Sequence, residues 1–369
     1  MRILQIANGY LDNRLYQLLF ADLAKKGAEQ TVFVPVSKKV SPSAQGNVHI
    51  VPCFDQLDRA LFFRKQKKML SWVESHLDPA QFDLTHAHTV FSGGYAARQL
   101  QKKYGIPYIV AVRNTDVNIF FKYMVHLRSV GVDILRNASK IIFLSPAYRE
   151  QVLRDYIPLK DLEAIAAKSE VIPNGIAEIF FEQDAQPKTL EGQLKLIQVG
   201  RLMKLKNPEL TAKAVEILRE RGRDVSLTFV GGVQDDLYHP LMDKDYVNWF
   251  DNCPQPEVIG HLQSADIFVM PSHIETFGLA YVEAMSQGLP VLYTAGQGFD
   301  GQFPEGEVGF AVSDSDPKQL ADSIEKVLEN YEELSRNAIS GAQKFRWDTI
   351  GSRYLDIYSK IITMRQIQN

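Results

Sequence analysis

The sequence predicts an α/β protein with two domains, each a doubly wound parallel sheet. The length of 369 residues exceeds the usual size of a single domain. Short apolar runs alternate with segments of helical spacing, and this alternation occurs in both halves of the chain. A hydrophobic content of 45% with 23% charged residues is typical of chains that fold around packed cores.

In the first half, the apolar runs are too short for helices and are bounded by turn residues. Helical patterns lie between them, and two of these patterns end at Gly27 and at Gly105-Ile-Pro107. Glycine followed by proline is a common helix end, because glycine takes the left-handed conformation and proline cannot continue the helix. The predicted strands are 2–7, 30–36, 84–88, 108–113 and 140–145.

The second half repeats this order. One helix is predicted over 207–222, with Pro208 near its start. Another is predicted over 315–330, with Ser315 or Asp316 as its N-terminal cap. A turn-rich segment and a short helix occupy 233–263. The predicted strands are 194–200, 225–232, 266–270 and 290–294.

The domain boundary is predicted in the region that holds VIPNGI and the polar run EQDAQPKTLEGQ. We therefore expect an N-terminal domain over 1–168 and a C-terminal domain over 169–346. An amphipathic helix is predicted to occupy 347–369.

Composition narrows the function classes. No apolar run approaches the roughly 20 residues of a membrane-spanning helix. Cys53 and Cys253 lie far apart without metal-ligand spacing, which predicts free thiols in a reducing, cytoplasmic compartment. Residues 1–168 hold 23 Lys and Arg against 14 Asp and Glu, whereas the remainder holds 18 against 30. This asymmetry predicts an anionic partner for the first half.

The densest basic cluster is segment 58–70, DRALFFRKQKKML, in which apolar and cationic residues are interleaved. One interpretation is an amphipathic helix lying on the inner face of an acidic membrane. The alternative is a helix packed by its aromatic residues, with a solvated basic face.

Two carboxylates define the candidate site. Glu275 lies in a loop after the strand SADIFVMPS, and Glu283 lies about one turn into the following helix. Loops at the carboxyl ends of parallel strands are the usual ligand position in open α/β sheets. The backbone N–H groups of Phe277, Gly278 and Leu279 open the helix and suit a phosphate. The two carboxylates can accept hydrogen bonds from sugar hydroxyls, and the helix start can bind a phosphate. Together they predict a binding site for a nucleotide sugar.

The motif PSHIETFGLAYVEAMSQGLPV, with its E-x7-E spacing, resembles the signature of the retaining glycosyltransferases of family 4. Those proteins have the GT-B fold, in which two Rossmann-like domains face each other across a cleft. Four further segments fit the family in the right order, so the resemblance covers most of the chain. They are THAHTVFSGG, VIPNGI, VGRLMKLKN and GQGFDGQFPEGEVGF.

The resemblance implies roles in the C-terminal domain. Arg201 and Lys206 match the pair that binds the donor diphosphate, next to Gly200. Glu283 matches the glutamate that bonds the ribose hydroxyls, and Glu275 the one that faces the transferred sugar. The turn at Asn174 matches the family's domain junction, but Ala177 stands where relatives usually have an acidic residue. The last helix of such proteins commonly returns to the N-terminal domain.

The N-terminal domain departs from the family pattern. Gly9 is the only glycine in a loop where relatives often have a pair. Arg113 replaces the histidine of a His-Gly-x-Asp stretch, so it is a candidate for holding the donor phosphate or an acidic acceptor, while Asp116 is a candidate for ordering the loop. His86 and His88 are candidates for touching the acceptor, or alternatively structural residues at a strand end.

Two further motifs match other kinds of ligand site by pattern alone. Gly296-Gln-Gly298-Phe-Asp-Gly301 satisfies G-x-G-x-x-G, but no helix can follow it directly, as a dinucleotide site requires. The family resemblance instead implies a loop near the nucleotide. Asp314-Ser-Asp316 resembles a metal-binding D-x-D, but it precedes a helix, where such residues are ordinary caps. We therefore expect no cofactor and no metal, with charge neutralised by cations and the helix start.

The predicted activity is transfer of a sugar from a nucleoside diphosphate sugar to a hydroxyl of a glycan or lipid-linked acceptor, with retention of configuration. Synthesis of polysaccharides or cell-surface glycans is the usual setting of bacterial relatives. The alternatives are a non-catalytic subunit that binds nucleotide sugars, and a nucleotide-sugar epimerase. Binding of nucleic acid is not expected.

Overall fold

The computed structural model describes residues 1–55, 57–58 and 61–368. Arg59, part of the basic segment 58–70, lies outside the described residues. The chain forms two compact units. The first comprises 1–144, 148–173 and 347–369, and the second comprises 145–147 and 174–346. The final helix is therefore part of the first unit.

The first unit is built around an eight-stranded sheet of order β3-β4-β2-β1-β5-β6-β7-β8, parallel except for the pair β3–β4. Its strands are β1 Arg2–Ile6, β2 Glu29–Ser37, β3 Ser43–Gln45, β4 Val48–Phe54, β5 Leu84–Ala87, β6 Tyr108–Val112, β7 Lys140–Phe143 and β8 Ser169–Val171. The helices in this part of the chain are α1 Arg14–Lys25, α2 Phe62–His76, α3 Tyr95–Tyr104, α4 Arg128–Asn137, α5 Pro146–Tyr156, α6 Leu159–Ala167 and, at the end of the chain, α13 Trp347–Gln368.

The second unit is built around a six-stranded parallel sheet of order β11-β10-β9-β12-β13-β14. Its strands are β9 Leu194–Val199, β10 Val225–Val230, β11 Val247–Phe250, β12 Ile267–Met270, β13 Val291–Thr294 and β14 Gly309–Val312. Its helices are α7 Pro208–Glu220, α8 His239–Met242, α9 Gln255–Ser264, α10 Leu279–Ser286, α11 Pro317–Glu329 and α12 Tyr331–Ala342.

The predicted pair of parallel-sheet α/β domains is confirmed, and most element bounds agree within a few residues. Asp316 caps α11, since its carboxylate accepts from the backbone N–H groups of Lys318 and Gln319 at 3.0 Å. Five strands were missed. β3, β4, β8 and β14 lie in regions where no strand was predicted, and β11 lies in the segment predicted as turns.

Residues 62–70 of the basic segment form the start of α2, and a helix was predicted there. Met69 is wholly buried, and the half-buried Phe62 ring packs 5.7 Å from the ring of Tyr95. This packing agrees with the interpretation of a helix held by its aromatic residues. Phe63 nevertheless keeps 55% of its surface exposed, so the helix also presents an apolar side chain to solvent.

Candidate functional site

The strand order of the second sheet reverses between β9 and β12, so their connections leave on opposite faces and open a crevice at the carboxyl edge. The ends of neighbouring strands are close here. A Cβ on Gly231, after β10, would lie 2.3 Å from the carbonyl oxygen of Gly200, after β9. Both glycines have positive φ, at 145° and 143°. The predicted donor residue Gly200 therefore lies at the switch point.

The loop between β9 and α7 carries the predicted cations. Asn207 holds it in place with φ at 53°, a left-handed conformation that is uncommon for a residue with a side chain. Its side-chain amide donates to the carbonyls of Pro271 at 3.1 Å and Asp314 at 2.8 Å. The buried Gln198 donates to the Lys206 carbonyl at 2.8 Å. These bonds join the loop to those that follow β12 and β14.

Lys206 and Glu275 form an ion pair, with Nζ 2.5 Å from Oε2. The other carboxylate oxygen of Glu275 accepts from the N–H of Thr276 at 3.0 Å. The side chains of Lys206 and Glu275 keep 25% and 12% of their surfaces exposed, so the pair lies at the surface of the crevice. The structure thus brings together two predicted site residues that are far apart in the sequence.

The turn before α10 depends on two glycines whose surroundings leave no room for a side chain. Gly278 has φ at 83°, and a Cβ there would lie 2.3 Å from the ring of Tyr281. A Cβ on Gly298 would lie 2.1 Å from the backbone of Thr276. Gln297 accepts from the N–H of Glu275 at 3.0 Å. The G-x-G segment therefore supports the Glu275 loop, which explains its glycines without a dinucleotide.

The start of α10 offers unsatisfied donors. Within the described residues, no protein acceptor receives a hydrogen bond from the backbone N–H groups of Phe277, Gly278 and Leu279. The Phe277 ring is buried beneath this turn. Arg201 is exposed at the same edge of the sheet, and the described residues supply it with no ion-pair partner. The edge is thus rich in donors and positive charge, which suits an anion.

Glu283 lies on the first turns of α10 and is half-buried. Desolvation raises the pKa of its carboxyl to about 7. No cation or hydrogen-bond donor among the described residues stabilises the carboxylate. A recessed carboxyl without a protein partner is suited to accept hydrogen bonds from a ligand's hydroxyl groups.

Asn174, the remaining donor-binding prediction, is half-buried at the start of the second unit. Across the described residues, no hydrogen bond joins its side chain to the Lys206–Glu275 pair.

In the first unit, Asp116 orders the loop after β6. Its buried carboxylate accepts from the backbone N–H groups of Val90 at 3.0 Å, Phe91 at 3.1 Å and Arg113 at 2.9 Å. Burial raises the pKa of this carboxyl to about 6, against the opposing effect of those hydrogen bonds. The half-buried Arg113 donates from Nε to the His88 carbonyl at 3.3 Å.

His86 and His88 are wholly buried, and their ring centroids lie 4.0 Å apart. His86 Nδ1 is 2.6 Å from the hydroxyl of Tyr358 on α13, and His88 Nε2 is 2.9 Å from the Gln5 side chain. Burial lowers the pKa of His86 to about 3. These positions favour the structural alternative for both histidines. Gly9 lies against Tyr16, whose ring would be 3.0 Å from an added Cβ.

The two aspartates of the D-x-D motif each have a partner within the protein. Asp316 is the N-terminal cap of α11 described above. Asp314 lies 2.8 Å from Nδ1 of His273, a residue to which the sequence analysis gave no role. In the described part of the chain, no group of three His, Cys, Asp or Glu side chains is arranged as a metal site requires. Likewise, none of the described helices has the length and apolar character to cross a membrane.

Two family models match in chain order. Residues 14–178 match glycosyltransferase family 4, and residues 180–345 match the glycosyl transferases group 1. This chain belongs to the family 4 glycosyltransferases. Together the two matches run through both units of this glycosyltransferase, and the second contains all the residues of the Lys206–Glu275 site described above.

Individual relatives agree with the family. A D-inositol 3-phosphate glycosyltransferase of Paenarthrobacter aurescens is 27% identical over 308 residues, 77% of this chain and 74% of that protein. The structure of sucrose-phosphate synthase from Thermosynechococcus elongatus is similar with a TM-score of 0.75 at 19% identity, covering 99% of this chain and 100% of that one. HepE from Anabaena, in complex with UDP-glucose, gives a TM-score of 0.64 at 17% identity, covering 98% and 100%. At these identities the solved structures establish the GT-B fold alone.

Proposed function

We propose that this glycosyltransferase transfers a sugar from a nucleoside diphosphate sugar to a hydroxyl of a glycan or lipid-linked acceptor, with retention of configuration. The Lys206–Glu275 ion pair is the observation that carries the proposal. It places a cation for a diphosphate directly beside a carboxylate for a sugar hydroxyl. The similarity to HepE, a structure that contains UDP-glucose, supports a donor of this class.

The diphosphate gains negative charge as the glycosidic bond breaks, so the site must stabilise that charge. We assign this role to Lys206, to the exposed Arg201 and to the free N–H groups at the start of α10. These donors act without a metal ion in the proposed mechanism, and no organic cofactor is required. Asn174 remains a donor-binding proposal that rests on its motif alone.

The two glutamates receive different roles because their surroundings differ. Glu283 has no protein partner and accepts the ribose hydroxyls, which would supply the hydrogen bonds that its carboxylate lacks. Glu275 is held by Lys206, Thr276 and Gln297, and faces the transferred sugar. Since both are used for binding, neither serves as a covalent nucleophile. Retention would then come from attack on the same face, with the leaving phosphate taking the acceptor proton.

Arg113 is the proposed contact of the first unit with the donor phosphate or with an acidic acceptor. Its loop is fixed by Asp116, so the guanidinium stands on a rigid support. We further propose that the basic segment 58–70 brings the protein to an acidic membrane surface, where lipid-linked acceptors are found.

The test combines donor binding with product analysis. Thermal shift with UDP-, GDP-, ADP- and dTDP-sugars identifies the donor, because a ligand of the native state raises the melting temperature. Release of nucleoside diphosphate is then measured with candidate acceptors, with and without EDTA, and NMR gives the anomeric configuration of the product. An inverted product, or a loss of turnover in EDTA, would contradict the mechanism. Donor binding with no turnover on any acceptor would favour a non-catalytic subunit.

A further inference from the structure

Large apolar side chains are exposed on two segments of the first unit. One segment comprises 57–58 and 61–70, at and before the start of α2, and the other is 117–128, which holds most of two irregular helical turns. Tyr123 keeps 70% of its surface exposed and Val125 keeps 60%, both high values for such residues. The exposed apolar residues of the two segments are Leu57, Leu61, Phe63, Ile119, Tyr123 and Val125.

The two segments form one continuous surface. The Phe62 ring, next to the exposed Phe63, lies 6.4 Å from the ring of Phe120, next to the exposed Ile119. A recess of about 130 Å³ between the segments is lined from both sides, by Lys65 on α2 and Met124 on the second segment among others. We call residues 57–58, 61–70 and 117–128 the two-segment surface.

The net charge of this surface is positive. Asp58 is its only carboxylate, and that side chain is buried and paired with Lys68 at 2.5 Å and Arg64 at 2.9 Å. On α2, Phe63 and Lys67 are four residues apart and both exposed, so they share a helix face. Lys122 is exposed beside Tyr123. Exposed apolar groups beside the exposed Lys67 and Lys122 are complementary to a bilayer that contains anionic lipid.

We propose that the two-segment surface docks on a bilayer containing anionic phospholipid. Phe63, Ile119 and Tyr123 enter the interfacial layer, while Lys67 and Lys122 face the headgroups. The proposed docking surface is larger than the basic segment 58–70, because the turns over 117–128 supply half of its exposed apolar residues. The second segment continues directly from the Arg113 loop, so docking also brings that loop to the membrane. This last consequence rests on the proposed function, since it matters only for a lipid-linked acceptor.

The test is flotation of the full chain with vesicles of phosphatidylcholine, alone or with roughly 30% phosphatidylglycerol. The apolar variant carries Phe63→Ser, Ile119→Ser and Tyr123→Ser. Each change is expected to lower the partition coefficient on anionic vesicles roughly fivefold, because half-exposed side chains lose burial in the interface. In a separate variant, Lys67→Ala and Lys122→Ala should each lower it about fivefold.

A matched control carries Leu159→Ser, Leu237→Ser and Met364→Ser, three apolar residues that are at least as exposed but lie elsewhere, at 88%, 73% and 61%. The control should bind vesicles like the wild type, and all variants should keep its melting temperature. Failure of the wild type to float with anionic vesicles would overturn the proposal, as would equal losses in the apolar variant and the control. If this surface binds a protein partner instead of a bilayer, the wild type should not float with anionic vesicles.

The vesicle assay contains no donor, so it is independent of the proposed activity. Thermal shift with nucleotide sugars, measured on the same variants without vesicles, should be unchanged. A protein that floats but binds no donor would contradict the proposed function alone. A protein that binds donor but does not float would contradict the docking alone.

Discussion

Replacing Glu283 by glutamine should make the empty protein more stable at pH 8. Desolvation raises the pKa of this carboxyl from 4.5 to about 7. The folded state therefore keeps a proton that the unfolded state has lost, and the free energy of unfolding falls as pH rises from 4.5 to 7. The whole difference corresponds to about 3 kcal/mol. Glutamine has nearly the shape of the protonated acid and carries no charge, so it removes this cost.

The measurement is differential scanning calorimetry of wild type and Glu283→Gln at pH 8 and at pH 4.5. For a unit of this size, about 3 kcal/mol corresponds to a rise in melting temperature of roughly 6–12 °C at pH 8. At pH 4.5 the two proteins should melt nearly together, because the folded carboxyl is protonated there. Glu220→Gln on the exposed surface of α7 is the control, and it should change little at either pH.

Two results would refute the reasoning. Equal melting temperatures at pH 8 would mean that the carboxylate is ionised in the fold without cost, so its surroundings are not desolvating. A stabilisation of the same size at both pH values would indicate improved packing rather than relief of charge burial. The predicted result, together with weaker donor binding by the variant, would identify Glu283 as a residue kept for binding at the expense of stability.

Three further predictions concern single residues. Lys206→Met should lower kcat about a hundredfold to a thousandfold, because it removes a cation from the leaving group. The control Lys204→Met, in the same loop, should leave kcat unchanged. The kcat of both variants is measured from the steady-state release of nucleoside diphosphate. Gly278→Ala should destabilise by at least about 1–3 kcal/mol in urea unfolding, since an added Cβ clashes there, but Gly260→Ala in α9 meets nothing within 4 Å and should be neutral or stabilising. His86 is buried and neutral in the folded state, whereas it gains a proton in the unfolded state below about pH 6.5. As pH falls from 6.5 towards 4.5, it should therefore lower the free energy of unfolding by about 1.4 kcal/mol per pH unit. Calorimetry of His86→Phe should show a free energy of unfolding that depends less steeply on pH.

Two of the five missed strands, β4 and β11, lack the regular apolar pattern from which strands are predicted. β4 contains His49 and Pro52, which interrupt an apolar run. Proline is tolerated there because it lies by a register shift between β4 and β2, next to the sheet edge. Trp249 and Phe250 of β11 are exposed on an edge strand, so their pattern does not alternate between buried and exposed positions.

The site was predicted where one motif carries it and missed where distant loops support it. Glu275, Gly278 and Glu283 lie within one strand–turn–helix segment, whose glycines and spacing are local signals. The support from Asn207 joins loops separated by 64 and 107 residues, and nothing around an asparagine indicates such bonds. Gln297 lies within a motif that suggests a different ligand, and only its contact with the Glu275 loop reveals its role.

The two histidines show why a polar residue at a strand end is ambiguous. The first sheet also reverses its order, between β1 and β5, so by topology the end of β5 is at the usual ligand position of such sheets. What fills that position is Tyr358, 272 residues further along the chain, whose hydroxyl bonds His86. The polar side chains of β5 thus become internal partners of α13. Arg113 at this edge remains half-exposed and carries a charge, and the His88 carbonyl supports it, so the chemistry of the first unit should be sought there.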